Sequence, residues 1–319
     1  WRSSTGTSAR TGPDVGFLED RANLGGKLAV LVGGGGGLGR ACALDLGRAG
    51  VRLGLCDRDG DALAATVADL GALGCETVSS QFDAREPDAL AGFFDRVDSA
   101  LGDHLDVLVN VVGGTFAQPF DRSTPKGWDA LIRTNFTWLL DATRLAIPRM
   151  RRAGGGSIIN FTSIEAHRAA PNYAVYAAMK AGVDSLSRTL AVELGPDRIR
   201  VNTIACDVVP TGSMAELSGA DGSPAWDLQH RISIPMGRRG TYEDVGSCAL
   251  FLASDLSSYV TGEALHPDGG AIASSGWFNW PGQGFLNHPP RPVLDWLLEQ
   301  GVSRDDRTAE DTGKRRDEG

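Results

Sequence analysis

The sequence predicts an α/β fold: a doubly wound parallel sheet of about seven strands, in a single domain with a C-terminal extension. From Leu24 onward, short apolar runs such as KLAVLV, VRLGLC and LDVLVN alternate with stretches whose apolar residues recur at helical spacing. The second half repeats this alternation with GSIINFT and IRVNTIA. The 319 residues, 42% of them hydrophobic, are enough to bury a large core.

The predicted elements follow one another as strand, helix and strand. Helices are expected from about Leu38, from about Asp61, from about Pro87, over 128–152, over the segment that contains YAAMK, and near 242–253. Further strands are expected at TVSSQF and near 263–266. Residues 208–235 show neither the helical nor the strand spacing of apolar residues, and they are rich in Gly, Ser, Ala and Asp. Because this segment is longer than a tight connection between a strand and a helix, we expect a functional loop or lid there.

The ends of the chain differ from its centre. Residues 1–23 and 301–319 are polar, charged and aperiodic, so a flexible N-terminal segment and a disordered tail are expected. The catalytic domain is predicted over 24–270. Residues 271–300 hold three of the seven tryptophans, so this extension is expected to close over a substrate cleft or to contact a neighbouring subunit. Packing on the chain's own flank is the alternative.

Composition narrows the possible partners. A net charge of -9 argues against nucleic acid and anionic membranes and favours a small-molecule ligand. The five cysteines form no CxxC pair, which argues against a zinc site or a disulfide framework and fits a reducing cytoplasm. The five histidines show no ligand spacing, so no metal is expected. No apolar run approaches the roughly 18 residues of a membrane span.

A glycine-rich loop follows the first predicted strand directly. The run GGGGGLGR fits two patterns: Gly34, Gly36 and Gly39 spell GxGxxG, whereas Gly33, Gly37 and Gly39 spell GxxxGxG. Glycines between a strand and a helix let backbone amides approach a pyrophosphate at the helix N-terminus. The loop is therefore interpreted as a dinucleotide-binding loop, with a flexible link as the alternative.

Two carboxylates end the next two predicted strands. Asp57 lies 18 residues after Gly39, where it could accept hydrogen bonds from the adenosine ribose and repel a 2'-phosphate. This position favours NAD over NADP, although Arg58 partly offsets the repulsion; a solvated carboxylate is the alternative. Asp83 could reach the adenine edge or, equally well, cap the helix before Pro87.

The pair in YAAMK, Tyr176 and Lys180, lies four residues apart and must share one face of a helix. Together with the glycine loop and several further segments, this pair makes the chain resemble a classical short-chain dehydrogenase/reductase over about residues 24–270. VGGGGGLGR is similar to the family's TGxxxGxG, LVNVVGG to LVNNAG, and IRVNTIACDVVPT to IRVNxIxPGxxxT, while RTNF and INFTS supply an asparagine and a serine. The resemblance favours the GxxxGxG pattern and a Rossmann-like sheet.

The resemblance also implies roles for particular residues. The catalytic set would be Asn135, Ser163, Tyr176 and Lys180. The cofactor-binding set would be Gly33, Gly37, Leu38, Gly39, Asp57, Asp83, Ala84, Asn110, Gly113, Tyr176, Lys180, Val209 and Thr211. Asn135 would hold a water that links Lys180 to solvent, unless backbone groups satisfy its amide. Ser163 would hold the substrate oxygen, unless it only caps the next segment.

Hydride transfer between an alcohol and NAD needs an acid/base whose pKa lies near neutrality. Lowering the pKa of a tyrosine by about three units costs roughly 4 kcal/mol. One cation about 4 to 5 Å away, at an effective dielectric constant of about 20, supplies roughly 3 to 4 kcal/mol. The sequence therefore predicts that Lys180, together with the positive nicotinamide ring, lowers the pKa of Tyr176.

Departures from the family pattern lie beside the expected nicotinamide site. Cys206 and Asp207 replace the usual Pro-Gly. Asp207 is expected to cap its loop, with stabilisation of the oxidised nicotinamide as the alternative. Glu165 and His167 follow the catalytic serine and are expected to form a surface pair, with contact to a polar substrate group as the alternative.

The resemblance implies an NAD(H)-dependent oxidoreductase that interconverts a secondary alcohol and a ketone. A hydroxysteroid, a cyclic alcohol or a 3-oxoacyl thioester would be the substrate, and the aromatic extension favours bulky apolar compounds. The family likeness also implies a homo-oligomer, a tetramer or dimer. The alternative function is a catalytically silent dinucleotide sensor, which the intact acid/base set disfavours.

Overall fold

Seven short segments form the strands of one parallel sheet. The computed structural model describes residues 16–207, 209 and 224–302. The strands are β1 Leu28–Val32, β2 Arg52–Asp57, β3 Thr77–Gln81, β4 Val107–Asn110, β5 Gly156–Phe161, β6 Ile199–Ile204 and β7 Ala264–Leu265. Their order is β3-β2-β1-β4-β5-β6-β7. The predicted fold class is confirmed, since every neighbouring pair of strands in this sheet is parallel.

Between and beyond the strands, the described residues form helices. They are α1 Phe17–Ala22, α2 Gly37–Arg48, α3 Gly60–Ala72, α4 Pro87–Leu101, α5 Pro125–Ile132, α6 Trp138–Ala153, α7 Ala174–Glu193, α8 Pro224–Ser233, α9 Tyr242–Ala253, α10 Ala271–Ser274 and α11 Arg291–Glu299. None of these described helices is long and apolar enough to cross a membrane. The loops that could bind a ligand are those that follow the carboxyl ends of the strands.

The sheet is buried on both faces. All five residues of β1 are fully buried. Leu28 and Val30 pack with Phe93 of α4 and with residues of α6 and α7, whereas Ala29 and Leu31 pack with residues of α2, α3 and α9. The continuous apolar character of β1 therefore follows from helices on both sides of the sheet.

The strand order reverses next to β1, which pairs with β2 on one side and β4 on the other. Val32, the last residue of β1, is in register with Asn110, the last residue of β4. The glycine loop after β1 and the Val111–Gly113 segment after β4 consequently emerge side by side. Ligands of doubly wound sheets bind in the crevice outside the carboxyl ends of the strands at such a reversal.

The structure corrects three boundaries. The long helix expected over 128–152 is interrupted by a π-helical turn, Arg133–Thr137, between α5 and α6. Within the segment expected to be a loop over 208–235, the described part contains helix α8. Phe17–Ala22, expected to belong to a disordered end, forms α1, and Asn23 beyond it donates a hydrogen bond to Asp255. Residues before 16 and after 302 lie outside the described part.

The described residues divide into two units. The first comprises those within 16–209 and 239–268 and contains the whole seven-stranded sheet. The second comprises 224–238 and 269–302, and it contains α8, α10, α11 and a two-stranded antiparallel hairpin of Phe278–Trp280 and Gly284–Leu286. The expected aromatic extension thus has regular structure of its own.

Candidate active site

A cavity of about 250 Å³ lies in the crevice outside β1 and β4. Gly33 of the glycine loop, Asp57 at the end of β2, Asp83 and Ala84 after β3, and Gly113 after β4 contribute to its lining. Four separate segments therefore deliver predicted cofactor residues to one cavity. Residue Asn110 is instead buried in the sheet, where its amide donates to Asn160 Oδ1 at 2.8 Å.

The glycine loop adopts the geometry that the GxxxGxG pattern requires. Gly33 and Gly37 have φ values of +90° and +51°, which favour glycine. A Cβ on Gly39 would lie 1.8 Å from Gly33 O, whereas a Cβ on Gly36 would meet nothing closer than Ala62 Cβ at 3.7 Å. Positions 33, 37 and 39 therefore favour glycine, whereas position 36 of the GxGxxG pattern does not require it. Such a tight turn before α2 leaves backbone close to the crevice and fits a dinucleotide phosphate.

Charged groups from β2 and β3 border the cavity. Asp57 accepts hydrogen bonds from Gly35 N at 2.9 Å and from Asp59 N at 3.1 Å, so its carboxylate also braces the glycine loop. Asp83 accepts from Arg85 Nε through both oxygens, at 2.9 and 3.0 Å, and the Arg85 guanidinium lowers the pKa of Asp83.

The alternative that Asp83 caps the helix before Pro87 is wrong. Helix α4 has Glu86 at its N-cap position and no side-chain cap. Arg85 also lines the cavity. No sequence pattern indicated Arg85, because its importance comes only from its pairing with Asp83.

Ser163, Tyr176 and Lys180 come together at the carboxyl end of β5. The Ser163 hydroxyl lies near the Tyr176 phenol and lowers its pKa, and it accepts from Glu165 N at 3.3 Å, so it also caps the following turn. Lys180 is 4% exposed and its Nζ donates to Phe161 O at 3.0 Å. That Nζ lies 5.8 Å from the centroid of the Tyr176 ring. Helical spacing on α7 places both side chains on one face, as the sequence predicts.

Asn135 lies in the π-helical turn, 1% exposed. Its Nδ2 donates to Gly114 O at 2.8 Å and to Leu131 O at 2.9 Å, and its Oδ1 accepts from Gly114 N at 3.1 Å. Backbone carbonyls therefore accept both amide protons of Asn135. This arrangement is the alternative that the sequence analysis set against a water-holding role. A Cβ on Gly113 would lie 3.1 Å from both Asn135 Oδ1 and Lys180 Nζ, so these two atoms flank Gly113.

Burial dominates the ionisation of the candidate acid/base pair. It raises the pKa of Tyr176 to about 12, against the opposing hydrogen bond from Ser163. It lowers the pKa of Lys180 to about 8, against the favourable charges of Cys206 and Asp184. The expected lowering of the Tyr176 pKa by Lys180 is therefore not found, because burial disfavours the phenolate and the ammonium alike. Tyr176 is a proton donor in the dinucleotide-free protein.

The pKa of Lys180 makes stability depend on pH. We expect the unfolding free energy of the dinucleotide-free protein to rise, relative to that of a Lys180→Met variant, as pH increases from about 8 to about 10.5. In this window the unfolded chain binds the proton that the folded chain has released, so raising the pH favours folding. The full difference is up to about 3 kcal/mol. Urea unfolding of both proteins across this pH window measures the difference in unfolding free energy. Parallel pH profiles of the two proteins would contradict the lowered pKa of Lys180.

The residues after Ser163 form charged contacts that the sequence did not predict. Glu165 accepts from Arg168 at 2.8 Å, and Arg168 also lies 3.6 Å from Asp207. His167 instead pairs with Asp184 at 2.9 Å. Glu165 and His167 therefore bind different partners rather than each other, and both side chains are partly exposed. The sequence does contain a signal for Asp184: it follows Lys180 by four residues and therefore lies on the same face of α7.

Two predicted cofactor residues belong to the segment after β6. Val209 is buried within the apolar cluster that includes Ile204. Thr211 lies outside the described residues. The described part of the chain contains no group of three or more His, Cys, Asp or Glu side chains that could hold a metal ion.

Comparison with known proteins identifies the family. A family model described as enoyl-(acyl carrier protein) reductase matches residues 33–271. D-erythrulose reductase of Gallus gallus is 33% identical over 266 residues, which cover 82% of this chain and 99% of that protein. The 7alpha-hydroxysteroid dehydrogenase of Escherichia coli (strain K12) is 32% identical over 256 residues, 80% of this chain and 98% of that protein. The chain belongs to the classical short-chain dehydrogenase/reductase family.

Solved structures of short-chain dehydrogenases share the fold. A 7 alpha-hydroxysteroid dehydrogenase complexed with NADH and 7-oxo glycochenodeoxycholic acid matches with a TM-score of 0.74 and 31% identity, over 80% of this chain and 97% of that one. A gluconate 5-dehydrogenase from Burkholderia cenocepacia J2315 in complex with NADP and tartrate matches with a TM-score of 0.74 and 29% identity, over 80% and 99%. As a short-chain dehydrogenase/reductase, the chain is an oxidoreductase that binds a nicotinamide dinucleotide.

Proposed function

We propose that this short-chain dehydrogenase/reductase interconverts a secondary alcohol and a ketone with NAD(H), using Tyr176 as the acid/base. One observation carries the proposal: the Ser163 hydroxyl lies near the Tyr176 phenol and lowers its pKa, with the Lys180 amine buried beside the phenol ring and next to Gly113 of the cavity. A bound dinucleotide supplies the hydride. The protein supplies the proton and the position of the substrate oxygen.

In the reducing direction Tyr176 donates its phenolic proton to the carbonyl oxygen. The Ser163 hydroxyl donates a second hydrogen bond to that oxygen and holds it beside the phenol. The raised pKa of Tyr176, about 12, keeps the phenol protonated at neutral pH before reaction. Lys180, on the same face of α7, then returns a proton to the phenolate.

The experiment that tests this function is turnover of NADH with a panel of ketones. The panel contains an oxosteroid, a cyclic ketone, a ketose and a 3-oxoacyl thioester, and each is tried with NADH and NADPH. We propose a bulky apolar substrate, because the segment over 271–300 carries exposed aromatic side chains, including Trp277 and Trp296. Binding of dinucleotide without turnover of any ketone would favour the dinucleotide sensor instead.

We propose NAD rather than NADP as the cofactor, with Gly33, Gly37 and Asp57 among the residues that hold it. The Asp57 carboxylate is placed at the cavity by its hydrogen bonds to Gly35 and Asp59. A carboxylate here accepts hydrogen bonds from ribose hydroxyls and repels a 2'-phosphate. Arg58 and Arg85, which line the same cavity, reduce this repulsion without removing it, since Arg85 is paired with Asp83.

Substitution of Asp57 measures this preference. We expect Asp57→Ala to lower the ratio of NADH affinity to NADPH affinity by about ten-fold or more, since each lost charge repulsion or hydrogen bond is worth about 1 to 2 kcal/mol. Fluorescence titration with both dinucleotides gives the ratio, and Asp59→Ala, which leaves the carboxylate of Asp57 in place, is the matched control. An unchanged ratio would show that Asp57 does not discriminate between the cofactors.

Assembly and compartment complete the proposal. We propose that the protein forms a homo-oligomer, a tetramer or dimer, and that residues 271–300 cover the substrate or contact a second subunit. Exposed apolar side chains on α11, among them Trp296 and Leu298, support a contact of this kind. All five cysteines are unpaired, which supports a reducing cytoplasmic location.

A further inference from the structure

A second cluster of titratable side chains lies one helical turn beyond Lys180. Asp184 of α7 is 3% exposed, and its Oδ2 lies 2.9 Å from Nε2 of His167. The His167 ring packs edge-on against the ring of His266, with the centroids 4.6 Å apart. The three residues come from the turn after β5, from α7 and from the segment after β7. The His167 side chain is 25% exposed, so the cluster connects a buried carboxylate with solvent.

Several polar atoms around this cluster are buried without a protein hydrogen-bond partner. They are both carboxylate oxygens of Asp184, Thr162 Oγ1, Thr203 Oγ1 and His266 Nε2; the contact between Asp184 and His167 is close but does not have hydrogen-bond geometry. Phe161, Ile204 and Leu265 lie in one row across β5, β6 and β7, so Thr162, Ala205 and His266 form the next row. Buried polar atoms in native proteins are nearly always satisfied, if not by protein then by internal water.

The proposed reaction needs a way to return a proton to Tyr176. Lys180 is buried, and Asn135 uses both of its amide protons on backbone carbonyls. Asn135 can therefore accept a hydrogen bond through Oδ1 but has no proton left to donate into a relay. Asp184 is the carboxylate nearest to Lys180 along α7, and its charge acts on the Lys180 amine.

We infer that Asp184 and His167, together with internal water bound at Asp184 Oδ1, carry protons between Lys180 and solvent. This inference rests on the proposed function. In ketone reduction Tyr176 gives its proton to the substrate oxygen and regains one from the Lys180 ammonium. The neutral amine takes a proton through water from the carboxyl group of Asp184.

The remaining steps return the cluster to its starting state. Asp184 regains a proton from Nε2 of a His167 imidazolium, which had taken one from solvent at Nδ1. The remaining Nδ1–H tautomer of His167 returns to the Nε2–H form by exchange with solvent. One proton enters for each proton given to substrate, and no electron moves. Burial lowers the pKa of Lys180 to about 8, which makes the neutral amine accessible.

The competing interpretation is that His167 only positions the turn that begins at Ser163. Two variants separate the interpretations: Asp184→Asn, which keeps the shape of the side chain, and His167→Ala, whose space admits free imidazole. His104→Gln is the matched control, because His104 lies 3.8 Å from Asp106 at the opposite, amino edge of the sheet. All variants are assayed with NADH and a ketone that the wild-type protein reduces.

We expect kcat to fall by about ten-fold or more in both variants, with KM changed less than about two-fold, because relay groups act on proton transfer rather than on binding. The solvent deuterium isotope effect on kcat should increase, and added imidazole should restore most of the activity of His167→Ala. His104→Gln should match the wild type. A loss without imidazole rescue and with an unchanged isotope effect would leave His167 as a positioning residue and overturn the relay.

A second measurement does not depend on turnover. A crystal structure at high resolution should show ordered water bonded to Asp184 Oδ1 and within hydrogen-bond reach of Lys180, directly or through one further water. A dry site there overturns the relay. If the wild-type protein reduces no ketone, the proposed function fails and the relay with it; if it reduces a ketone and both variants retain full activity, only the relay fails.

Discussion

Replacing Tyr176 by phenylalanine is expected to lower kcat/KM for ketone reduction by about a thousand-fold or more, since the hydroxyl is the proposed proton donor. Phenylalanine keeps the ring on α7 and removes only the phenolic oxygen, whose pKa Ser163 lowers. The dissociation constant of NADH should change less than about three-fold, because most of the proposed dinucleotide contacts lie elsewhere in the crevice. NADH oxidation in the steady state gives the first quantity, and fluorescence titration gives the second.

A second tyrosine on the same helix supplies the control. Tyr173 is at the N-cap position of α7, three residues before Tyr176. Tyr173→Phe removes a phenolic oxygen of the same kind and should leave kcat/KM within about three-fold of the wild type, as expected for a substitution outside the reacting groups. Retention of more than a tenth of the activity by Tyr176→Phe would remove Tyr176 from the role of acid/base.

Replacing Gly39 by alanine is expected to destabilise the protein by more than about 4 kcal/mol, a loss typical of severe steric conflict. A Cβ there would lie 1.8 Å from Gly33 O and 2.8 Å from Gly33 C, and these atoms belong to backbone that cannot rotate away. The glycine loop would have to open, so binding of NADH should be lost even in any fraction that stays folded. Denaturant unfolding and fluorescence titration measure the two effects.

Gly36 provides a matched control for stability within the same loop. Its φ of -136° and ψ of 171° are extended values that alanine adopts, and the nearest atom to an added Cβ is Ala62 Cβ at 3.7 Å. Gly36→Ala should therefore change the unfolding free energy by less than about 1 kcal/mol. Equal stability of the two variants would contradict the close approach of Gly39 to Gly33.

Most of the fold and part of the site could be predicted from local sequence. Apolar runs that alternate with amphipathic stretches specify parallel strands and crossover helices, since each period buries a definite face. The four-residue interval between Tyr176 and Lys180 specifies a shared helix face. The glycine pattern remained ambiguous between two registers, because five consecutive glycines spell both. Backbone geometry separated them, since Gly33 and Gly37 have positive φ.

The sequence by itself determined which segments form strands and helices, whereas the pairing of β1 with β4, which brings the glycine loop to the end of β4, was set by the tertiary structure. Only the tertiary structure decided the ionisation of Tyr176, whose pKa rises because burial opposes the charge that Lys180 was expected to stabilise. It also decided the partners of Asp184 and Asp83. Periodicity encodes which face of an element is buried, whereas desolvation and charge pairing depend on groups brought together from distant segments.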